Sequence, residues 1–358
     1  MTDISELPPT ASEIRPEWLS QALSVRFPGV QVASIEVTNQ RQVTNSHANL
    51  RVLYDVSGGA PETMFCKLPP TDPNRREAIL RTGMGEREVK FYEQLAPKLG
   101  MRVPEVLVAE ERADGTFILL LEDLDASGCV ISDGRLGVSP DSAAGALEDL
   151  AALHLCYREP NVRASEVPWI LASSSSSDYG SVMLRYGLEN NRDRLSDAFA
   201  EIAELCIKNS DQLQELWHQG PQTVIHGDAH IGNLFFDGDR TGFLDWGIIN
   251  INTPMRDVSY FLTMSLAIDE RRSHERDLLS HYLEIWNAGG GEPLSWDDVW
   301  LAHRVHAAYT VLASCQVVTF PDDATPQRQV FAAAFLDRAQ TAVADLEARS
   351  AIRSSGGF

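Results

Sequence analysis

VIHGDAHIGNLFFDGDRTGFLDWGIIN, residues 224–250, packs polar groups between short apolar runs in the middle of an otherwise helical part of the chain. Strand-like pieces are expected at Thr223–Ile225, Leu234–Phe236 and Gly242–Leu244. The first leads to His226-Gly227-Asp228, with Asn233 five residues beyond Asp228. A turn at Asp237-Gly238-Asp239 joins the other two, and the last ends on Asp245-Trp246-Gly247. Ionised carboxylates next to buried strands are costly unless they serve a metal, a hydrogen-bond network or a reaction.

Phosphoryl transfer gives this spacing a reason. It needs one carboxylate to orient an attacking hydroxyl and accept its proton, and a carboxylate with a carboxamide oxygen to hold Mg²⁺ on the phosphates. Protein kinases place the base and the metal-binding Asn five positions apart, as Asp228 and Asn233 are here. They put a second Asp at the end of a nearby strand pair, as Asp245 is.

Outward from this stretch the chain has two textures. Between about Val30 and Leu121, β-type runs dominate: VQVASIEV, NLRVLYDVS, ETMFCKL and TFILLL. One periodic segment, AILRTGMGEREVKFYEQLAPKLG, interrupts them as a single internal helix with Val89, Tyr92 and Leu95 on its apolar stripe. Beyond Glu122 helices are expected, at 141–159 (DSAAGALEDLAALHLCYRE), Leu184–Ile207, Tyr260–Ala267, Asp277–Trp286, Trp296–Val317 and Gln327–Ala348. The serine run at 173–178 reads as a loop and the last residues, RSSGGF, as a frayed end.

The 358 residues, 44% hydrophobic and 23% charged, are enough for two lobes with substantial cores. The net charge is −21, and residues 122–358, with 17 basic against 35 acidic side chains, carry −18 of it. Such a field repels phosphate backbones and anionic lipid, so neither a nucleic-acid nor a membrane partner is expected. The N-terminal MTDISELPPT lacks the regions of a secretion signal, and five scattered cysteines without a CxxC pair read as reduced thiols. A cytoplasmic location is expected.

HGDAHIGN at 226–233 and LDWG at 244–247, with MFCKLPP, REVKFYEQL and LLLEDL earlier in the chain, resemble the aminoglycoside phosphotransferase and choline kinase superfamily. The wording of the last three is similar to its ecdysteroid-kinase-like subgroup. The resemblance spans nearly the whole chain and implies an α+β, bilobal protein-kinase-like fold. Residues 1–121 would form a nucleotide-binding lobe with a small antiparallel sheet and one helix, and 122–128 a hinge. A larger, mainly helical catalytic and substrate lobe would occupy 129–350, and 351–358 a flexible tail.

The same resemblance implies roles. Asp228 would be the catalytic base, His226 a scaffold of its loop, and Asn233 and Asp245 the Mg²⁺ ligands. Lys67 would reach the α- and β-phosphates of ATP or GTP, held by Glu88. Leu119, Leu121, Glu122 and Leu124 would line the hinge against the base. The loop QRQVTNSHANL lacks GxGxxG, so phosphate contact would come from a turn at about Val43–His47, with Ser46 as a donor. Asp257, in PMRDVSYFL, would cap its helix and accept hydrogen bonds from the catalytic loop. The implied activity is a small-molecule kinase acting on a hydroxyl, with a nucleotide and a hydroxylated small molecule as partners. The acidic surplus suits a cationic acceptor or serves solubility, and the subgroup points to a bulky hydroxylated apolar compound.

Other readings of these residues exist. A catalytically silent nucleotide-binding protein would have lost a base, ligand or lysine, and none is lost. A protein kinase would carry the glycine loop and an activation segment, and neither is present. His226, His230 and Asp228 as a metal-hydrolase cluster lack a second set of ligands. His303 and His306, three apart on an expected helix, read as ordinary helix-surface histidines ahead of a pair facing a common ligand, and Trp296, Trp300 and Tyr309 as core or as walls of an acceptor pocket.

Overall fold

The computed structural model describes residues 6–173, 178–321 and 324–356. The chain forms two compact units, one of residues 6–131 with 242–248 and one of 132–241 with 249–356. This division departs from a boundary at the hinge, because 242–248 joins the N-terminal unit. There the Phe243 N–H donates to the Arg102 carbonyl at 3.0 Å and Trp246 stacks on Phe91, 3.8 Å between centroids and 6° between planes.

The N-terminal unit is built on a five-stranded antiparallel sheet, β1 (Gln31–Gln42), β2 (Ser46–Val56), β3 (Thr63–Leu68), β4 (Val106–Glu111) and β5 (Phe117–Glu122), in the order β1-β2-β3-β5-β4. Side chains alternate between its faces. Ala48, Leu50 and Val52 of β2, Met64, Cys66 and Leu68 of β3, and Ile118 and Leu120 of β5 form one core with Trp18, Leu19 and Leu23 of α1 (Pro16–Ser24). Burying a Leu-sized side chain of this kind contributes about 1.5–3 kcal/mol. The opposite face carries Lys67, which pairs with His47 on one side and Leu119 on the other.

Among the elements outside the sequence expectation are α1, and β4, whose short VLVAEE run ends in charges. The single internal helix is also divided. α2 (Pro73–Thr82) starts on the Asp72 side chain, which accepts from the Arg75 N–H at 2.8 Å, and stops at Gly83 with φ +65°. α3 (Met84–Lys90) follows, and a π turn at Phe91–Leu95 and a 3₁₀ turn at Ala96–Lys98 complete the periodic segment. A left-handed residue cannot continue a right-handed helix, so Gly83 re-aims the chain.

The second unit is mainly helical. α4 (Pro140–Cys156) packs beside the helix Ile268–Ala288, and the helix Pro254–Ser265 is buried along its whole length. The strand Thr223–Ile225 pairs antiparallel with Asn250–Asn252 and delivers the following loop. The strand pieces expected after it extend over Leu234–Asp237 and Arg240–Phe243.

The expected flexible tail is instead a helix, Ala348–Ser354, with Ala351 and Ile352 fully buried against Phe335 and Leu336 of the helix Pro326–Asp345 and their neighbours. Its apolar face outweighs its polar composition, while 357–358 fall outside the described residues, as do 174–177 of the serine run. His303 and His306 are buried, not on the surface: His306 bonds the Ala302 and Trp217 carbonyls, and His303 lies 3.5 Å from Glu275. Among the described residues no helix is long and apolar enough to cross a membrane.

Two glycines test this packing. A Cβ on Gly137 would sit 2.0 Å from the Ala267 backbone nitrogen, beside the Val138–Leu266 bridge. Gly137→Ala is expected to destabilise by about 1–3 kcal/mol. Gly145, within α4, has open space around a Cβ, so Gly145→Ala is expected to stabilise by about 0.5–1 kcal/mol. Urea midpoints of both variants against wild type check the pair.

Candidate active site

In the N-terminal unit, β3 places Lys67, α3 places Glu88 and the returning segment 242–248 places Asp245. Lys67 is 4% and Glu88 2% exposed. The Lys67 ammonium lies 2.6 Å from Glu88 Oε2 and 2.9 Å from Asp245 Oδ1. Burial alone would lower the Lys67 pKa, but Asp245 and then Glu88 outweigh it and raise the value, so the amine stays charged. Burial pushes the Glu88 carboxyl up to about 7 while Lys67 pulls it down. A charged ammonium at hydrogen-bonding distance holds the pair as ammonium and carboxylate.

Asp245 has φ +60°, a left-handed conformation that Asp tolerates better than bulky residues, and its side chain is 39% exposed. α3 is fastened to the same segment by the Arg87 Nε–H, which donates to the Gly247 carbonyl at 2.9 Å. Gly85 lets α3 approach β5, since a Cβ there would meet the Phe117 ring at 2.2 Å.

In the second unit, the loop after Thr223–Ile225 is tied at both ends. The His226 and Gly227 N–H groups donate to Asp257 Oδ2 and Oδ1 at 2.6 and 2.8 Å. The Asp228 N–H donates to His226 Nδ1 at 3.1 Å. Gly227 has φ +86°, which a glycine accepts without steric cost. The Asn233 carboxamide donates through Nδ2 to the Asp228 carbonyl and to Asp228 Oδ2, both at 3.0 Å. The Asp228 side chain is one-quarter exposed and Asn233 is buried.

Asp257 accepts from the loop as expected, but it does not cap its helix. It stands in the first turn, after the N-cap residue Thr253, and its carboxylate faces the loop and His154 Nε2 at 3.3 Å. His154 Nδ1 in turn lies 2.9 Å from the Tyr282 hydroxyl. Burial would raise the Asp257 pKa, yet His154, His226 and the Gly227 N–H together hold it below the usual carboxylate range. Its folded value being depressed, Asp257 contributes stability above the unfolded pKa, and that contribution is lost as pH falls through the folded one. Asp257→Asn is expected to cost about 1–3 kcal/mol at pH 7 and to flatten the acid limb below about pH 4. Urea unfolding from pH 3 to 7 checks both.

Ser46 falls on the other face of the sheet from Lys67. It pairs with Leu68, is 1% exposed and accepts from Gln42 Nε2 at 2.8 Å. Leu119 and Leu121 are buried on Lys67's face. Glu122 is held by Arg102, Nη2 to Oε1 at 2.8 Å and Nη1 to Oε2 at 2.9 Å, and its backbone N–H donates to the Glu105 carbonyl. Both groups of Glu122 are thus committed within the unit. Leu124 is buried, and its carbonyl accepts from the Cys129 N–H.

Sequence reasoning missed His154 and Tyr260, both buried around this loop. Tyr260 follows Asp257 by three positions on one helix, so the spacing held that signal. Burial, and then the Asp228 carboxylate, push its hydroxyl far up, keeping it a neutral donor. Tyr309 packs edge-on to Trp217 and Tyr260, whereas Trp296 and Trp300 stack on each other with Arg276 over Trp300.

In the second unit, with Nδ2 of Asn233 turned to Asp228, its carbonyl oxygen is the atom left for a ligand, and in the N-terminal unit Asp245 carries a carboxylate; each is an oxygen donor of the kind a hard cation takes. For the hydrolase alternative, Nδ1 of His226 and of His230 each accept a backbone N–H. Among the described residues no group of three or more His, Cys, Asp or Glu has metal-holding geometry.

Residues 40–294 match the sequence profile of the phosphotransferase enzyme family. No curated protein matches the sequence. Among solved structures, the GDP complex of a point mutant of aminoglycoside 2'-phosphotransferase-IIIa is 13% identical, with 92% of this chain and 98% of that one covered and a TM-score of 0.50. Choline kinase LicA from Streptococcus pneumoniae is 13% identical over 92% and 98%, with a TM-score of 0.49. Macrolide 2'-phosphotransferase MphH from Brachybacterium faecium is 17% identical over 87% and 96%, with a TM-score of 0.46. At 13% identity the likeness to the first of these speaks to the fold alone, an antiparallel-sheet N-terminal part and a helical C-terminal part.

Proposed function

Since the chain belongs to the phosphotransferase enzyme family, we propose that it is a small-molecule kinase that moves the γ-phosphoryl group of ATP or GTP to a hydroxyl of a small acceptor. The observation that carries this reading is the presence of both halves of the chemistry in preorganised form. Lys67 is clamped between Glu88 and Asp245. Asp228 is held by Asn233 on a loop tied to Asp257.

The roles follow from the groups. Lys67, charged and immobile, neutralises the α- and β-phosphate oxygens, and Glu88 keeps it from collapsing onto Asp245 alone. Asn233 and Asp245 would hold Mg²⁺, which when bound supplies charge neutralisation at the β- and γ-phosphates. Asp228 orients the acceptor O–H and takes its proton as the new O–P bond forms and the bond from the γ-phosphorus to the bridging oxygen breaks, the electron pair leaving with the nucleoside diphosphate. His226 fixes the loop through its own N–H and its Nδ1. Positioning and electrostatics then supply most of the rate. The N-terminal unit is assigned to the nucleotide and the helical unit to the acceptor, and the −18 surplus of residues 122–358 suits a cation.

The direct test incubates the protein with MgATP or MgGTP and a panel of amino sugars, amino alcohols and hydroxylated apolar compounds. A mass gain of one phosphoryl group on an acceptor supports the proposal and names the acceptor class. Nucleotide binding without transfer to any of them favours a silent binding protein, and absence of Mg²⁺-dependent nucleotide binding defeats the reading.

A further inference from the structure

The turn between β1 and β2, Val43–Asn45, contains no glycine, so backbone N–H groups cannot wrap a polyphosphate there as a glycine-rich loop does. On β2, next to this turn, stands a set of buried polar atoms without partners. His47 pairs in register with Lys67, which puts both side chains on one face of the sheet. Neither His47 Nδ1 nor Nε2 has a hydrogen-bond partner, and both are buried. In the turn itself, Asn45 is 2% exposed and its Oδ1 also lacks a partner. Phe65 holds the His47 ring edge-on at 5.1 Å.

A buried polar atom left unpaired costs about 1–3 kcal/mol, and such atoms call for a ligand, water or strain as their explanation. Burial and the Lys67 cation push His47 down to about 3, Arg41 adding to this and Asp245 opposing it, so the ring is neutral. A neutral imidazole is a hydrogen-bond donor on one nitrogen.

We infer that His47 is a nucleotide-phosphate ligand, a side-chain donor that takes the place of the missing glycine-loop amides on the Lys67 face of the sheet. The assignment rests on the kinase reading for the identity of the ligand and adds a residue that holds it. It also replaces Ser46, whose hydroxyl lies on the α1 side of the sheet.

The test compares wild type with His47→Leu, an apolar side chain that fills the same space beside Phe65, by calorimetric titration with MgATP, MgGTP and the corresponding nucleosides. His47→Leu is expected to weaken the bound triphosphate by about tenfold and to leave the nucleoside unchanged. Its melting temperature without nucleotide should equal or exceed that of wild type, because an unpaired buried ring is removed. In wild type, the His47 ring ¹⁵N resonances should shift on adding the magnesium nucleotide. Wild-type binding together with unaltered triphosphate affinity in His47→Leu overturns this assignment and leaves the kinase reading intact. No binding of either triphosphate by wild type overturns both.

Discussion

Asp228→Ala is expected to lower turnover by about 10²–10⁴-fold, the range for losing a positioned general base, while the dissociation constant for the magnesium nucleotide stays within about threefold of wild type. The reason lies in where the atoms are. On the proposed reading nucleotide charge is matched by Lys67 in the N-terminal unit, whose partners Glu88 and Asp245 do not include Asp228. The loop itself survives the substitution, because its anchors are backbone N–H groups on Asp257, and Asn233 Nδ2 keeps the backbone carbonyl of residue 228 as an acceptor. Single-turnover kinetics alongside nucleotide titration separate the two quantities. Equal loss of turnover and of nucleotide affinity would mean that Asp228 supports the fold of the site and is not its base.

The second large effect is expected at Asp245. On the proposed reading Asp245→Asn removes one charged oxygen ligand of the magnesium ion, and it is expected to lower turnover by about 10³-fold, with a partial recovery at raised Mg²⁺. Asparagine tolerates φ +60° nearly as well as aspartate, so the backbone of the segment is kept. Lys67 retains Glu88 at 2.6 Å. Lys67→Met is a poorer probe: it strands a Glu88 carboxylate that is 2% exposed, and breaking a buried pair from one side costs about 3–5 kcal/mol. Thermal melts of Asp245→Asn should therefore match wild type closely, and activity against Mg²⁺ concentration carries the result. A turnover that is unaffected at every Mg²⁺ concentration would remove Asp245 from the metal site.

Several features of the site are legible in the amino-acid sequence because they are local. Asp228 and Asn233 are five residues apart, and a loop that short brings the carboxamide within 3.0 Å of the carboxylate with little help from elsewhere. Asp257 reaches the same loop because the strand Asn250–Asn252, just before its helix, pairs with Thr223–Ile225. Ser46 against His47 shows the opposite situation. Their sequence offers polar residues in succession, and a shift of one position exchanges the two faces of a strand. Only the pairing of β2 with β3 decides that His47, and not Ser46, shares the face of Lys67. The surface reading of the histidines at 303 and 306 fails for a related reason, since polarity suggests a surface and the helix packing buries both.

The order of the chemical groups, the alternation that makes a sheet before Glu122 and helices after it, and the spacing inside the Asp228 loop are properties of neighbouring residues, and the amino-acid sequence determines them by itself. The tertiary structure decided what depends on residues far apart: that 242–248 returns to the N-terminal unit and sets Asp245 against Lys67, 178 positions away, that Arg102 takes the Glu122 carboxylate, and that the helix Ala348–Ser354 buries its apolar face. Each of these is chosen by which buried charges and apolar faces satisfy one another across long loops, a competition whose outcome is fixed by packing and strand register and is not written in any single segment.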